Sequence, residues 1–322
     1  MRYILGVDIG GTNLVVGAVT EDGTRVLGLH SELTGAAHGA EHVIDRIVGM
    51  AEATIAETRA ADPAAEIEGV GIGSPGPLDR TAGIVLLTPN LGWVNMPVRD
   101  RIKERLALPA WLDNDANCAM AGEWWVGAAK GARNAVTFTL GTGIGGGIVV
   151  DGKLLHGASD VAAEIGHITI ETNGRRCSCG NDGCLEAYAS GPAIARRTLE
   201  ALEAGADSSL RLIVQGDLSQ LTAQTVYEAA AAGDPLALEI VQDTAKYLGV
   251  GVANLINILN PEVVVICGGV TQAGDGLFTP LKREVNRRAF RPAVQACRIV
   301  PGALPGTAGV VGAAKVFLDA HA

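Results

Sequence analysis

Aromatic residues, long apolar runs and clusters of positive charge are all scarce in this sequence. Only 4% of the residues are aromatic, and no stretch reaches the roughly 18 consecutive apolar residues of a membrane-spanning helix. Lysine and arginine occur in short pairs such as Arg196-Arg197, and the formal net charge is -10. Because nucleic-acid binding requires clustered positive charge, we expect neither a nucleic acid nor a membrane among the partners.

No pattern typical of a secretory leader stands before Tyr3, where the first predicted strand begins. We therefore expect a cytoplasmic protein, in which the six cysteines remain reduced. In that setting a close group of cysteines indicates a metal site or a catalytic centre in preference to disulfide bonds.

Apolar residues and glycine are abundant. The 322 residues are about twice the length of a usual single domain, so we expect two domains with a cleft between them. The hydrophobic fraction of 48% and the 43 glycines are typical of an α/β protein with many tight turns. Since glycine lets a ligand approach the backbone, we expect the glycines to mark binding sites.

One pattern occurs twice: strand, glycine-rich turn, strand, Asp-Gly turn, strand. It starts at Ile4, with a turn at Gly10-Gly11, and again at Ala135, with a turn over 141–147. The repetition indicates a duplicated core with one copy in each half, although two unrelated hairpins would look the same. We predict an N-terminal α/β domain.

This domain covers residues 1–115 and is joined by the C-terminal helix in 306–322, and a C-terminal α/β domain covers 116–305. Hydrophobic periodicity predicts the elements outside the repeats. The predicted strands cover 69–73, 110–113 and 263–267. The predicted helices cover 40–60, 98–106, 115–126, 192–204, 222–231, 235–259 and 308–320.

The two glycine turns are candidate phosphate-binding sites. In the first, the carboxylate of Asp8 ends a strand and Gly10 and Gly11 follow, so a phosphate can reach the backbone N–H groups and the Thr12 hydroxyl. Asp8 could hold Mg²⁺, directly or through water. The second turn lacks the ending of a P-loop and is not followed by a helix. Two such turns could bind a nucleotide's phosphates together, and an ordinary hairpin turn is the alternative for each.

Asn114 and Asp115 stand where a predicted strand meets a predicted helix. A carboxylate in this place could take the proton from a substrate hydroxyl as general base. The alternative is a helix N-cap, for which Asn and Asp are equally suited, and the residues alone favour the cap.

Three cysteines follow one another closely, at Cys177, Cys179 and Cys184, and His167 precedes them. This spacing among glycines matches a tetrahedral zinc site with three thiolates and one imidazole. Since all four positions would be occupied by protein ligands, we predict a structural Zn²⁺ ion. Free cysteines in a loop are the alternative.

Taken together, these residues resemble the ROK family of bacterial sugar kinases and sugar-responsive repressors, nearest to its glucokinases. The resemblance runs from the turn after Asp8 to the closing glycine-rich segment at Gly306, and its most specific parts are Glu164 to His167 and the cysteine group ending at Glu186. It implies the actin/hexokinase-like (ribonuclease H-like) fold, and it implies phosphorylation of glucose by ATP with Mg²⁺. Mannose, fructose or N-acetylmannosamine are the alternative sugars, and polyphosphate is an alternative donor.

The resemblance also implies roles for individual residues and a homodimer or homotetramer. Asp115 would be the catalytic base. The sugar would be bound by Asn90, Asn114, Asp115, Glu164, His167 and Glu186. ATP would be bound by Asp8, Gly10, Gly11, Thr12, Gly141, Thr142, Gly143, Gly145, Gly268 and Gly269. His167 would serve both zinc and sugar through its two ring nitrogens.

Three departures from the family pattern and two rival functions remain. Asn13 stands where many members have lysine, Cys267 stands where glycine is often found, and residues 159–163 lack the glycines common before Glu164. Repressors of the family carry a DNA-binding domain ahead of the first strand, for which we expect no room before Tyr3. A non-catalytic sugar sensor would not need Asp115.

Overall fold

The computed structural model describes residues 1–321. The strands are β1 (Arg2–Ile9), β2 (Asn13–Thr20), β3 (Val26–Leu33), β4 (Glu66–Ser74), β5 (Leu78–Asp79), β6 (Ile84–Thr88), β7 (Trp93–Met96), β8 (Ala110–Asn114), β9 (Ala135–Leu140), β10 (Ile144–Val150), β11 (Lys153–Leu154), β12 (Val263–Cys267) and β13 (Arg298–Pro301). The α-helices are α1 (Ala40–Ala61), α2 (Val98–Leu106), α3 (Asp115–Trp125), α4 (Glu186–Ala189), α5 (Gly191–Glu203), α6 (Leu210–Ile213), α7 (Ala223–Ala231), α8 (Pro235–Leu259), α9 (Asp275–Arg288), α10 (Arg291–Ala296) and α11 (Ala308–Ala320). None of these helices combines the length and apolarity needed to cross a bilayer.

The contacts divide the chain into two compact units. Residues 1–137, 147–163 and those from Gly302 onward form the first unit, and residues 138–146 and 164–301 form the second. The predicted boundary after residue 115 differs from this division, because α3 packs on α11 within the first unit. We keep the predicted boundary as a proposal.

A mixed five-stranded sheet forms the centre of the first unit, in the order β3-β2-β1-β4-β8. Strands β1, β2 and β3 make an antiparallel meander, and β4 and β8 extend it in parallel. Because parallel strands end at the same edge of a sheet, β1 and β8 deliver Asp8 and Asn114 toward one edge. The sheet topology therefore gathers the predicted polar residues of this unit.

A second five-stranded sheet has the order β11-β10-β9-β12-β13, and the division between the units falls within β9 and β10. Each sheet contains three consecutive strands in reverse order, β3-β2-β1 or β11-β10-β9, followed by two strands from later in the chain. The last two strands are parallel in each case. This shared order is what a duplicated core predicts, and two unrelated hairpins would not produce it.

Several glycines serve helix packing and not ligand binding, contrary to our expectation. A Cβ at Gly71 on β4 would collide with the carbonyl of Ala313 on α11, and one at Gly312 would collide with the carbonyl of Cys118 on α3. The backbones of α11, α3 and β4 therefore approach more closely than any other residue type permits.

The predicted helices and strands are present, and the differences lie at turns and in the unpredicted elements. The second glycine turn is shorter than predicted, because β10 already begins at Ile144 and leaves only 141–143 as the turn. The last strand of the second repeat, for which we predict residues 153–156, stops at Leu154. The three-stranded sheet β5-β6-β7, the helices α9 and α10, and β13 were not predicted.

Candidate active site

Asp115 is the first residue of α3, and its neighbour Asn114 is the helix N-cap. The Asn114 side-chain oxygen accepts hydrogen bonds from the backbone N–H groups of Ala116 at 2.9 Å and Asn117 at 3.2 Å. Asp115 Oδ1 accepts a further bond from Ala116 N at 2.8 Å. The capping role that the sequence left open therefore belongs to Asn114, and α3 does not depend on Asp115 for its cap.

Asp8 is a second carboxylate close to Asp115. Its burial, together with the negative charge of Asp115, raises the pKa of Asp8 from 3.8 to about 7. Gly309, in the first turn of α11, lies so close to the Asp8 carboxylate that a Cβ there would collide with it. Two neighbouring carboxylates, one of them with a raised pKa, are typical of a site that receives a cation.

The first glycine turn and Asn90 also lie at this edge. The turn closes through a bond from Gly10 N to Asn13 O of 2.8 Å, and the hydroxyl of Thr34 supports it by donating to Gly10 O at 2.7 Å. A Cβ on Gly11 would lie 3.4 Å from Cβ of Asn90. The structure thus brings the predicted nucleotide turn and a predicted sugar residue into contact.

Asp113 was missed by the sequence reasoning. It is fully buried, and its Oδ2 lies 2.9 Å from Nε of Arg80 and 2.9 Å from Nε2 of His156. Its Oδ1 accepts bonds from Asn114 N at 2.8 Å and Asn117 Nδ2 at 3.1 Å. The only signal in the sequence was that Asp113 extends the run of acidic and amide residues at 113–115. The sequence does not show which of these three side chains is buried.

In the second unit, Glu186 connects the second glycine turn to the cysteine loop. Its Oε2 accepts a hydrogen bond from Ile144 N at 3.0 Å, and its Oε1 accepts one from the Ser178 hydroxyl at 3.2 Å. A Cβ on Gly143 would lie 2.6 Å from Oε2, so Gly143 leaves space for the carboxylate. Glu186 is therefore held from two sides.

Glu164 and His167 flank a single turn of 3-10 helix, Ile165–His167. His167 N donates to Glu164 O at 3.0 Å. Burial raises the pKa of Glu164, the nearby His167 lowers it, and the carboxylate of Glu186 raises it again. The structure thus brings these three predicted sugar residues into one neighbourhood.

The predicted zinc ligands lie together, and their geometry fits the metal. One ligand atom from each of His167, Cys177, Cys179 and Cys184 lies within 4.8 Å of all the others. Cys179 Sγ and Cys184 Sγ are 3.7 Å apart, and Cys177 Sγ is 3.7 Å from Nδ1 of His167. A tetrahedron with Zn–S bonds of about 2.3 Å has edges of about 3.8 Å. The donor set therefore suits Zn²⁺, with Nδ1 as the ligand atom of His167.

A cavity of about 1020 Å³ lies within the second unit, large enough for a nucleotide. Of the predicted ATP residues, Gly141 and Gly269 line it. The remaining wall comes from α7, α8, the 3-10 turn after β12, and α9, including Tyr227, Gln272 and Arg283. Gly145 lies within β10 and not in the turn. No motif marked the helical wall, because its residues come from distant segments.

Comparisons with known proteins agree on one family. The sequence profile described as ROK family matches residues 4–320. A glucokinase of Thermotoga maritima is 41% identical over 317 residues, which are 98% of this chain and 97% of that protein. A putative xylose repressor of a Caldicellulosiruptor species is 32% identical over 98% of this chain and 78% of its own length. Among solved structures, a ROK family glucokinase of Streptomyces griseus in complex with glucose and AMPPNP is 35% identical, with a TM-score of 0.85 and 98% of each chain covered.

Proposed function

This chain belongs to the ROK family and has its actin/hexokinase-like fold, and we propose that it transfers a phosphoryl group from ATP to glucose, giving glucose 6-phosphate. The observation that carries the proposal is Asp115, a carboxylate at the start of α3, where the neighbouring Asn114 supplies the helix cap. The glucokinases among its relatives support the choice of sugar.

In the proposed reaction, Asp115 is the general base. It accepts the proton of the attacking sugar hydroxyl as the bond to phosphorus forms, and the protein otherwise aligns the reactants. Mg²⁺ bound with ATP would neutralise charge on the phosphates, and we propose that Asp8 would hold it, directly or through water. The backbone N–H groups of the turn after Gly10 would bind phosphate oxygens.

The polar side chains that we propose for sugar binding are those of Asn90, Asn114, Glu164, His167 and Glu186. With Nδ1 directed to the thiols, His167 keeps Nε2 for a sugar hydroxyl. We propose that Zn²⁺ in the cysteine loop is structural, since it would fix His167 directly and Glu186 through Ser178.

For ATP, we propose the cavity lined by Gly141 and Gly269 as the nucleotide site. Thr142, Gly143 and Gly268 would lie beside it because they are sequence neighbours of the lining residues. The cytoplasmic location and a homodimer or homotetramer remain proposals that rest on the sequence.

The rival functions differ in what they require of the site. A sugar-responsive repressor or a sensor would bind sugar but would not need a basic carboxylate at the start of α3. Because the chain keeps Asp115 in this arrangement, we favour the kinase.

The test is a coupled assay of ADP formation with glucose, mannose, galactose, fructose and N-acetylmannosamine, and with ATP or polyphosphate as donor. We expect the highest kcat/KM with glucose and ATP. Each epimer leaves buried polar groups unpaired at about 1–3 kcal/mol, so it should lose about tenfold or more. ATP consumption that is independent of sugar, or equal efficiency for all sugars, would contradict the proposal.

A further inference from the structure

Asp113 precedes the proposed base by two residues, and its two oxygens face different partners. Oδ1 accepts bonds from Asn114 N and Asn117 Nδ2, which flank Asp115 on either side. Oδ2 faces Arg80, on the segment after β5, and His156, after β11. One carboxylate thus joins the first turn of α3 to two distant segments of the same unit.

We propose that Asp113 is a positioning residue for Asp115, and that His156 and Arg80 fix it in place. The inference rests on the proposed function, and it extends it by naming the residues that set the base's geometry. A fully buried carboxylate is stable only when its oxygens are paired. Here the pairing fixes Oδ2, and Oδ1 then fixes the backbone at Asn114 and the side chain at Asn117.

His156 is the more informative of the two supports. A carboxylate only accepts hydrogen bonds, so Nε2 of His156 carries the proton in the 2.9 Å contact with Asp113. The strand β11 stops at Leu154, and the chain then turns so that the imidazole reaches Asp113.

The second support, Arg80, is held by a strained segment. Asp160 adopts a φ of 56°, in the left-handed region that favours glycine. Its carboxylate accepts a bond from Arg80 N at 3.2 Å and lies 3.7 Å from Nη1 of Arg80. Strain of this kind persists where surrounding contacts over-determine the conformation. Asp160 stands in the stretch that lacks the family's glycines, and these contacts explain how it is tolerated.

The first experiment compares His156→Leu with His156→Gln in the glucose assay. A glutamine amide can place its nitrogen near the position of Nε2, so it can restore the donor, whereas leucine cannot. We expect His156→Leu to lower kcat by about 10- to 100-fold, the range of a catalytic group displaced by about 1 Å, with KM for glucose changed far less. His156→Gln should recover most of kcat.

The matched control is His30→Leu. His30 also pairs with a carboxylate through Nε2, at 3.2 Å from Glu57, but on the outer strand β3. We expect it to keep wild-type kcat. Melting temperatures of all variants then separate loss of stability from loss of turnover.

A double variant tests whether His156 acts through Asp115. In the Asp115→Asn background, His156→Leu should have little further effect on the residual rate, because the base it positions is already gone. Equal losses in both backgrounds, or wild-type kcat in His156→Leu, would overturn the inference. If the wild-type chain has no kinase activity, the proposed function fails, and a crystal structure of His156→Leu decides the inference: a displaced Asp115 carboxylate supports it, and an unmoved one overturns it.

Discussion

Replacing Asp115 with asparagine separates catalysis from structure. The cap of α3 is unaffected, because Asn114 supplies it through bonds to the N–H groups of Ala116 and Asn117. The amide oxygen of the new side chain can also keep the bond that Asp115 Oδ1 accepts from Ala116 N at 2.8 Å. What disappears is one negative charge and the basic oxygen.

Two electrostatic contributions to stability oppose each other in this variant. A carboxylate in the first turn of a helix stabilises it by about 0.3–1 kcal/mol through the helix dipole. The same charge repels Asp8, whose pKa it helps to raise. The free energy of unfolding should therefore change by no more than about 1 kcal/mol. General-base loss, in contrast, costs about 10²–10⁴-fold in kcat, or about 3–5 kcal/mol in activation free energy.

The assay measures kcat and glucose affinity of Asp115→Asn beside wild type. Asp100→Asn is the matched control, since Asp100 lies in the first turn of α2 and is half-exposed. We expect kcat to fall by at least 10²-fold in Asp115→Asn only, with glucose affinity nearly constant, as about 10²-fold is the lower limit of general-base loss. A folded Asp115→Asn protein that keeps more than about a tenth of kcat would refute the assignment.

Three further predictions concern stability and metal. The pKa of Asp8 is about 7 in the folded chain and 3.8 ordinarily. Its contribution to the free energy of unfolding of the ATP-free protein is therefore full below about pH 4 and is lost as the pH rises toward 7. Denaturation at several pH values should show a flatter slope for Asp8→Asn, and an unchanged slope would count against the shift. Metal analysis should return about one zinc per chain. Cys179→Ser should lose the zinc and become less stable, whereas the control Cys297→Ser should keep it. A metal-free active protein would contradict the site. Ala107, the C-cap of α2, has a φ of 53°. Ala107→Gly should therefore raise the free energy of unfolding by about 1 kcal/mol, whereas Ala56→Gly inside α1 should lower it by about 1 kcal/mol. If urea unfolding shows that both substitutions change stability in the same direction, the strain argument is refuted.

Features that depend on neighbouring residues were predictable from the sequence. The meander, the main helices and the position of Asp115 all follow from local periodicity and from residues where a strand meets a helix. The convergence of the predicted zinc ligands could also be predicted, because metal coordination imposes a short spacing on the cysteines. The match of the ligand distances to a tetrahedron confirms that the four side chains converge, while the bound metal stays a prediction.

Features that depend on distant segments were not predictable. The wall of the cavity that we propose for the nucleotide comes from four elements between α7 and α9, and each contributes ordinary helix residues. The predicted turn over 141–147 was too long, because the glycines after Ile144 resemble a loop in the sequence. In the structure they lie in a strand and allow close packing: a Cβ at Gly147 would collide with the side chain of Met120. Glycine content alone does not separate a turn from a tightly packed strand.

The contacts that support the first turn of α3 show the same limit. Arg80, Asp113 and His156 lie on three separate segments, and only Asp113, beside Asn114 and Asp115, has sequence neighbours that suggest a role. A buried carboxylate needs partners, so burial of Asp113 demands a cation or a donor, but only the fold determines which ones reach it. The proposed base could be predicted because its position depends on sequence neighbours. The residues proposed to set its geometry were missed because their contacts join distant segments. Enzymes of this architecture should therefore reveal their reacting groups in the sequence before they reveal what holds those groups in place.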